Sequence, residues 1–327
     1  MKPIRIIFFL IALALVASGA NALSVVSTTT VLWDPIQHIG GEKIEAIYIA
    51  DPTICPHMQA DIIPNRIQLQ REFIRDADLF VAHNGSVDQS YVMPYVADFM
   101  TANNYGTVEW VTLADPAMIW NTPSGATDLS REVAGWLIAA DPANRTYYEA
   151  RLDEYLAEID AANLTSEERE AIPGQDVVVM VWQQDAAVGW LGLNQVSIFA
   201  PEFYQGGKFT PRAVVDDIQK NPEKYRDVKY VIENMQSGEL AKGLEEALID
   251  AGIPVERVIF TNFPKSLPGV DSLPDVIRYN KGLVTPAQGA SAAKATKPAA
   301  TAAPLPGILV VAAVLGGGAL VLLARRR

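Results

Sequence analysis

Short apolar runs alternate along this chain with stretches of three- and four-residue periodicity. Leu23–Thr29, Ile44–Ala50, Leu79–His83 and Thr107–Leu113 are rich in Val, Ile and Thr. Several are nearly continuous in apolar content, as strands buried on both faces of a parallel sheet require. Trp33–Ile39 and Asn65–Ala77 read as the helices between them. The rhythm then returns, with strands at Val177–Trp182, Val228–Glu233 and Val255–Thr261 and helices at Pro211–Lys220 and Gly238–Ala251. This alternation predicts two α/β units with mostly parallel sheets. A helix is expected between them. Asp141 can cap it, Pro142 suits its first turn, and Tyr148, Leu152, Tyr155, Leu156 and Ile159 form one apolar stripe with Glu154 and Glu158 turned away. One long helix joining two lobes predicts a stiff connector.

The ends of the chain read differently from its body. Residues 1–22 have the pattern of a secretory signal peptide: Lys2 and Arg5, an apolar run from Ile6 to Val16, and the small-x-small site Ala20-Asn21-Ala22. Residues 305–324 carry no charge and are long enough to cross a bilayer as a helix. The tail of Arg325, Arg326 and Arg327 then belongs on the cytoplasmic side. Residues 285–304, rich in Ala, Pro and Thr with Lys294 and Lys297 the only charges, read as a tether. The expected layout is a lobe at 23–140, the connecting helix at 141–163, a second lobe at 164–284, and an anchor that holds both on the outer face of the membrane. Alternatively, 305–324 is a sorting signal that is removed and replaced by a lipid. It resembles the carboxy-terminal signals of archaeal surface proteins through Pro306-Gly307, with Ile308 where a Phe is usual.

Charge narrows the partners. Without Lys2, Arg5 and the terminal arginines, 21 basic residues face 38 acidic ones, and the body stands near −17. A phosphate backbone would be repelled, so nucleic acid is excluded as a partner. A single cysteine rules out an internal disulfide framework. Asn84-Gly-Ser86, Asn144-Arg-Thr146 and Asn163-Leu-Thr165 are glycosylation-compatible triplets that suit an external location.

Candidate chemistry concentrates in Asp51-Pro-Thr-Ile-Cys-Pro-His-Met-Gln-Ala-Asp-Ile-Ile-Pro64. This loop holds the lone cysteine, Cys55, and one of three histidines, His57, with Met58 beside it. Imidazole, thiol and thioether together suggest a metal. The surrounding motifs carry a resemblance. Trp33-Asp-Pro-Ile-Gln-His-Ile-Gly-Gly-Glu-Lys43, Pro56-His-Met-Gln-Ala-Asp-Ile-Ile-Pro-Asn65 and Ala77-Asp-Leu-Phe-Val-Ala-His-Asn-Gly85 occur in that order. Asp141-Pro-Ala-Asn-Arg-Thr-Tyr147 and Val228-Lys-Tyr-Val-Ile-Glu233 follow. Over roughly residues 24–285 the chain resembles the solute-binding subunits of metal-ion ABC importers, the zinc- and manganese-binding cluster of periplasmic binding proteins.

That resemblance implies two Rossmann-like α/β lobes joined by a single long rigid helix. It also implies a divalent metal such as zinc or manganese as cargo, held between the lobes by four side chains, and an ABC permease with a separate ATPase as partner. Carried over by motif, the four positions are His57, Met118, Gln184 and Asn262, with Gln183 a near alternative to Gln184. Three of the four thus lack the imidazole or carboxylate that zinc prefers. The alternatives are Cu(I) held by His57, Met118 and Cys55 or Met58, a metal chelate or small organic ligand held by amides and the aromatics Trp120, Trp182 and Trp190, or a divalent metal held by Asp185, Glu233 or Asp61. His38 and His83 read as packing residues, His83 because Asn84-Gly85 marks a turn. No nucleophile elbow, phosphate loop, dinucleotide fingerprint or His-Glu-x-x-His motif is present, so no enzyme is expected. The rival reading from another class is a surface-anchored structural or adhesion protein that keeps the fold with a degenerate site.

Overall fold

A computed structural model describes residues 22–286. The expected signal peptide, almost all of the tether, the apolar segment 305–324 and the arginine tail lie outside the described residues. No helix among the described residues is long and apolar enough to cross a membrane.

The first lobe runs β1 (Leu23–Ser27), α1 (Thr30–Gly40), β2 (Ile44–Tyr48), α2 (Ile62–Leu69), α3 (Arg71–Arg75), β3 (Leu79–Ala82), α4 (Ser86–Tyr91), α5 (Met93–Ala102) and β4 (Trp110–Thr112). Its strands form a parallel sheet in the order β2-β1-β3-β4. All four residues of β3 are buried, because helices cover both faces of the sheet. Side chains alternate across it: Val25, Leu79 and Val81 belong to one core and Val26 and Phe80 to the other.

Three helices follow, α6 (Pro123–Ala140), α7 (Arg145–Ala162) and α8 (Ser166–Ala171). The second lobe contains β5 (Asp176–Met180), β6 (Asn194–Phe199), α9 (Pro211–Lys220), β7 (Val228–Asn234), α10 (Lys242–Asp250) and β8 (Glu256–Phe260). This sheet is also parallel, in the matching order β6-β5-β7-β8. Val177 and Val179 face one core, Val178 and Met180 the other.

The last helix, α11 (Leu273–Gly282), returns to the first lobe. Its Leu273 and Ile277 share a core with Tyr148, Tyr155 and Ile159 of α7. One buried carboxylate fastens this junction. Asp34 of α1 accepts hydrogen bonds from the Tyr155 hydroxyl and from the Leu273 N–H, the latter at 2.6 Å. The His38 ring stacks on Tyr155, with Nδ1 2.9 Å from Asp34 Oδ1 and 3.0 Å from the Asp34 main-chain oxygen. It is therefore a satisfied structural residue. The turn from α1 into β2 fits beneath α7 only because residue 41 is glycine. Its φ is 51°, and a Cβ there would lie 2.3 Å from the Tyr147 hydroxyl.

Several elements depart from the sequence reading. The helix expected over 65–77 breaks at Gln70, whose φ of −105° and ψ of 14° leave the helical region, and becomes α2 and α3. The strand expected over 107–113 is only β4, since residues 105–109 carry no regular structure. Helix α7 begins at Arg145, after a 3-10 turn at Pro142–Asn144. Asp141 accepts the Asn144 amide (2.6 Å) and the Tyr148 hydroxyl (2.8 Å) and so ties that turn to α7. Helices α4, α5, α6, α8 and α11 and strand β6 are additional. Of these α6 is the most legible, with the Thr122 cap, Pro123 in the first turn, and Leu129, Val133 and Leu137 at four-residue spacing.

In both sheets the strand order reverses direction beside the first strand of the lobe. In open parallel sheets that reversal places a crevice at the carboxyl ends of the strands.

Candidate functional site

The carboxyl ends of all eight strands open onto one cleft of about 580 Å³. Thr29 comes from the β1 end, Cys55 and His57 from the β2 loop, His83 to Asp88 from β3, and Pro116 to Asn121 from β4. The second lobe contributes Val181, Trp182 and Asp185 after β5, Phe203 and Tyr204 after β6, Asn234 and Gln236 after β7, and Asn262 and Phe263 after β8. None of these lining residues is Lys or Arg.

The floor of the cleft is a network of carboxamides crossing between the lobes. Asn121 donates through Nδ2 to Gln183 Oε1 (3.0 Å) and to Asn262 Oδ1 (2.7 Å). Gln183, fully buried, donates through Nε2 to Asn262 Oδ1 and Asn234 Oδ1, both at 2.9 Å. Asn234 passes its own amide to Ser237 at 2.7 Å. Nearby, Trp120 Nε1 donates to the Asn262 main-chain oxygen at 2.8 Å. Gln236 Nε2 bonds the Pro52 carbonyl and Thr261 Oγ1, both at 3.0 Å, while the Cys55 N–H bonds the Gln236 main-chain oxygen at 3.2 Å. Buried amides need partners, and these find them mostly in one another. The loop bearing Trp120 and Asn121 is held close to α6 by Gly125, where a Cβ would stand 1.9 Å from the Ile119 carbonyl oxygen.

His83 forms one wall. It is almost fully buried, its Nε2 is 2.7 Å from Thr29 Oγ1, and its ring lies 4.8 Å from that of Trp120. Its Nδ1 is buried without a hydrogen-bond partner. Burial pushes the imidazole below its usual range against the opposing pull of Asp88, so the ring is neutral near pH 7. Asp88 accepts from the Thr28 hydroxyl (2.9 Å) and the His83 N–H (2.7 Å). The mouth is aromatic. His57 meets Tyr91 edge-on at 6.1 Å between centroids and, across the lobes, Phe203 at 5.9 Å; Phe203 also contacts Trp182 at 6.0 Å.

The structure brings His57, Met118, Asn262, Cys55 and Asp185 to the cleft lining, with Gln183 fully buried beneath and bonded to Asn262 Oδ1. It corrects the choice between the two glutamines. Gln184 turns out of the cleft, donating to Gln195 Oε1 of β6 at 2.7 Å, and Gln183 takes the inner position. Gln183 closes the 3-10 turn Val181–Gln183 and points inward, and a π turn follows at Asp185–Trp190, where the Leu191 N–H bonds the Ala186 carbonyl five residues back. Glu233 lies elsewhere, buried in the second lobe against Arg257 Nη1 (2.7 Å) and the Ala241 N–H (2.9 Å). Asp61, Met58 and Trp190 do not line the cleft either. The Cys55 thiol is pushed above its usual range by burial, partly offset by the His57 N–H, and is therefore not a thiolate near pH 7. Among the described residues no three His, Cys, Asp or Glu side chains come together as a metal cluster.

Sequence reasoning missed Asn121, Asn234, Gln236 and Phe203, and set His83 aside. A signal existed for His83: it ends a parallel strand, where open α/β folds place their ligand contacts.

Comparison with known proteins agrees with this architecture. No curated protein sequence matches the chain. A zinc-bound deletion mutant of ZnuA superposes with a TM-score of 0.57 at 18% identity, covering 82% of this chain and 100% of that one. The cadmium-bound and manganese-bound periplasmic metal binding protein of Candidatus Liberibacter asiaticus superposes with a TM-score of 0.61 at 14% identity, covering 80% of this chain and 98% of that one. At such identities the likeness shows a shared fold. The sequence itself goes further, since residues 25–280 match the family described as ZnuA, zinc-uptake complex component A, periplasmic. With both lobes and the cleft between them inside the matched span, the chain belongs to that family.

Proposed function

We propose that this chain is the extracytoplasmic solute-binding subunit of a metal-ion ABC importer. It captures a metal ion or metal chelate in the interlobe cleft and delivers it to a membrane permease driven by a separate ATPase. The observation that carries this reading is the convergence of all eight strand ends, four from each lobe, on one cleft within the family's matched span. The solved relatives named for bound zinc, cadmium and manganese support a divalent metal as cargo. His57, Met118 and Asn262 are the side chains that would face it, with Gln183 bonded to Asn262 beneath. The amino-terminal signal would direct the subunit across the membrane, and the carboxy-terminal anchor would hold it on the outer face beside its permease. Helix α7, packed against α1, α6 and α11, would limit the lobes to a small rocking motion on loading.

Elemental analysis of the natively purified protein, with and without His57→Ala, tests the reading together with cellular metal content in a strain lacking the gene. Stoichiometric metal that falls with the substitution, and depleted cells, are the expected results; metal-free protein and unchanged cells would overturn it. One observation favours a second reading, a surface structural protein. The amide floor satisfies itself and joins the lobes with no cargo at all. A cargo selective for the folded state must raise its melting temperature, so a flat response across metals and chelates would favour that second role.

A further inference from the structure

The cleft offers very few donors to a metal ion. A zinc ion requires about four nitrogen, sulfur or oxygen ligands. Asn121, Gln183, Asn234 and Asn262 spend most of their hydrogen-bonding capacity on one another, and Asp88 is engaged by Thr28 and His83. Two imidazoles remain, with Asp185 exposed at the rim, and among the described residues no three His, Cys, Asp or Glu side chains come together. His57 makes only edge-on ring contacts, to Tyr91 and Phe203. His83 keeps a buried Nδ1 with no partner, and a buried polar atom of that kind calls for one from outside the chain. Two nitrogens leave a metal shell half empty.

What the cleft offers instead is aromatic surface. Phe203 packs edge-on against His57 at the mouth with Trp182 beside it, and Trp120 lies beside His83. With no Lys or Arg in the lining, an anionic ligand finds no counter-charge. A cation clothed in apolar rings suits aromatic walls, because ring faces attract positive charge. Asp185 lies exposed at the rim and carries the complementary sign.

We infer that the cargo arrives preformed, as a divalent metal already enclosed by a neutral, ring-bearing nitrogen chelator. This refinement rests on the metal-importer reading above. The chelator's rings lie against Trp182 and Phe203. A lone pair on the His57 ring fills the open coordination position and displaces one water from the metal, with no electron transferred. The amide floor beneath then serves to join the lobes, and coordination falls to the chelator.

Terpyridine makes the test direct, because its three nitrogens leave about one position of a four-coordinate shell. The full-length protein is titrated calorimetrically with zinc chloride, terpyridine, the equimolar zinc–terpyridine complex and zinc–EDTA, which is anionic. The complex is expected to bind at least roughly tenfold more tightly than zinc or terpyridine alone, with no binding of zinc–EDTA. His57→Ala should abolish that advantage. Phe203→Ala and Trp182→Ala alter side chains that are 67% and 38% exposed, so both fold, and each should weaken the complex by roughly fivefold. Zinc alone binding as tightly as the complex overturns the inference and leaves the metal-importer reading standing. So does terpyridine alone binding equally well, or no binding by the complex. No binding by any probe, with unchanged metal content in cells lacking the gene, removes both readings.

Discussion

Gln183→Leu and Gln184→Leu are adjacent substitutions of the same chemistry with opposite expected outcomes. Gln183 is fully buried and takes part in three hydrogen bonds, to Asn121, Asn234 and Asn262. Each is worth about 1 kcal/mol net, and stranding the Asn234 carbonyl, whose only side-chain donor is Gln183, adds about 1–3 kcal/mol. Leucine returns about 1–2 kcal/mol through its own burial, leaving a net loss of about 2–5 kcal/mol. In a folded body of this size each kcal/mol moves the melting midpoint by about 2–4 °C, so Gln183→Leu should lower it by about 4–20 °C. Gln184 makes one exposed bond to Gln195, and its replacement should stay within about 0.5 kcal/mol, or about 1–2 °C. Thermal melts by far-UV circular dichroism on both variants decide the matter. Equal shifts, or a larger one for Gln184→Leu, would refute the account of the amide floor.

Other outcomes follow from the same geometry. The double substitution Gln183→Glu with Asn262→Asp replaces two floor amides by carboxylates, and should create thermal stabilisation by bare zinc or manganese that the parent lacks; no gain would mean that donor chemistry is not what limits metal binding. His38 is held above its usual value of 6.5, chiefly by its hydrogen bond to Asp34, with burial opposing. Its contribution is therefore fully present below pH 6.5 and fades as pH rises through the higher folded value, so His38→Gln should flatten the decline of denaturant midpoints above neutrality. If α7 stiffens the junction, small-angle scattering with and without cargo should give nearly the same radius of gyration, and a large contraction would exclude a rocking motion.

Much of this architecture could be read from residues alone, and the failures have identifiable causes. The strands were legible because parallel sheets bury both faces and write themselves as apolar runs, as in Val177 to Met180. Edge strand β6, Asn-Gln-Val-Ser-Ile-Phe, was not legible, since its half-exposed alternation resembles a loop. His57 and Asn262 were found because motifs fix their distance from strand ends. Asn121 and Asn234 escaped because an amide owes its role to its partners, and these lie 62 and 51 residues away in sequence, at Gln183. His83 was misjudged for a related reason: the turn at Asn84-Gly85 is real, with Asn84 at φ 61°, yet a turn residue can also line a cleft.

The π turn at 185–190 has a consequence for how such a protein can change over time. By absorbing a residue between the cleft and the helix packing behind it, the turn acts as slack in the chain. Insertions or deletions there are taken up locally and need not be transmitted to the ligand-facing side chain before the turn or to β6 after it. The cargo-facing surface and the hydrophobic scaffold can therefore drift independently at this point, so a lineage could exchange one cargo chemistry for another without rebuilding its core.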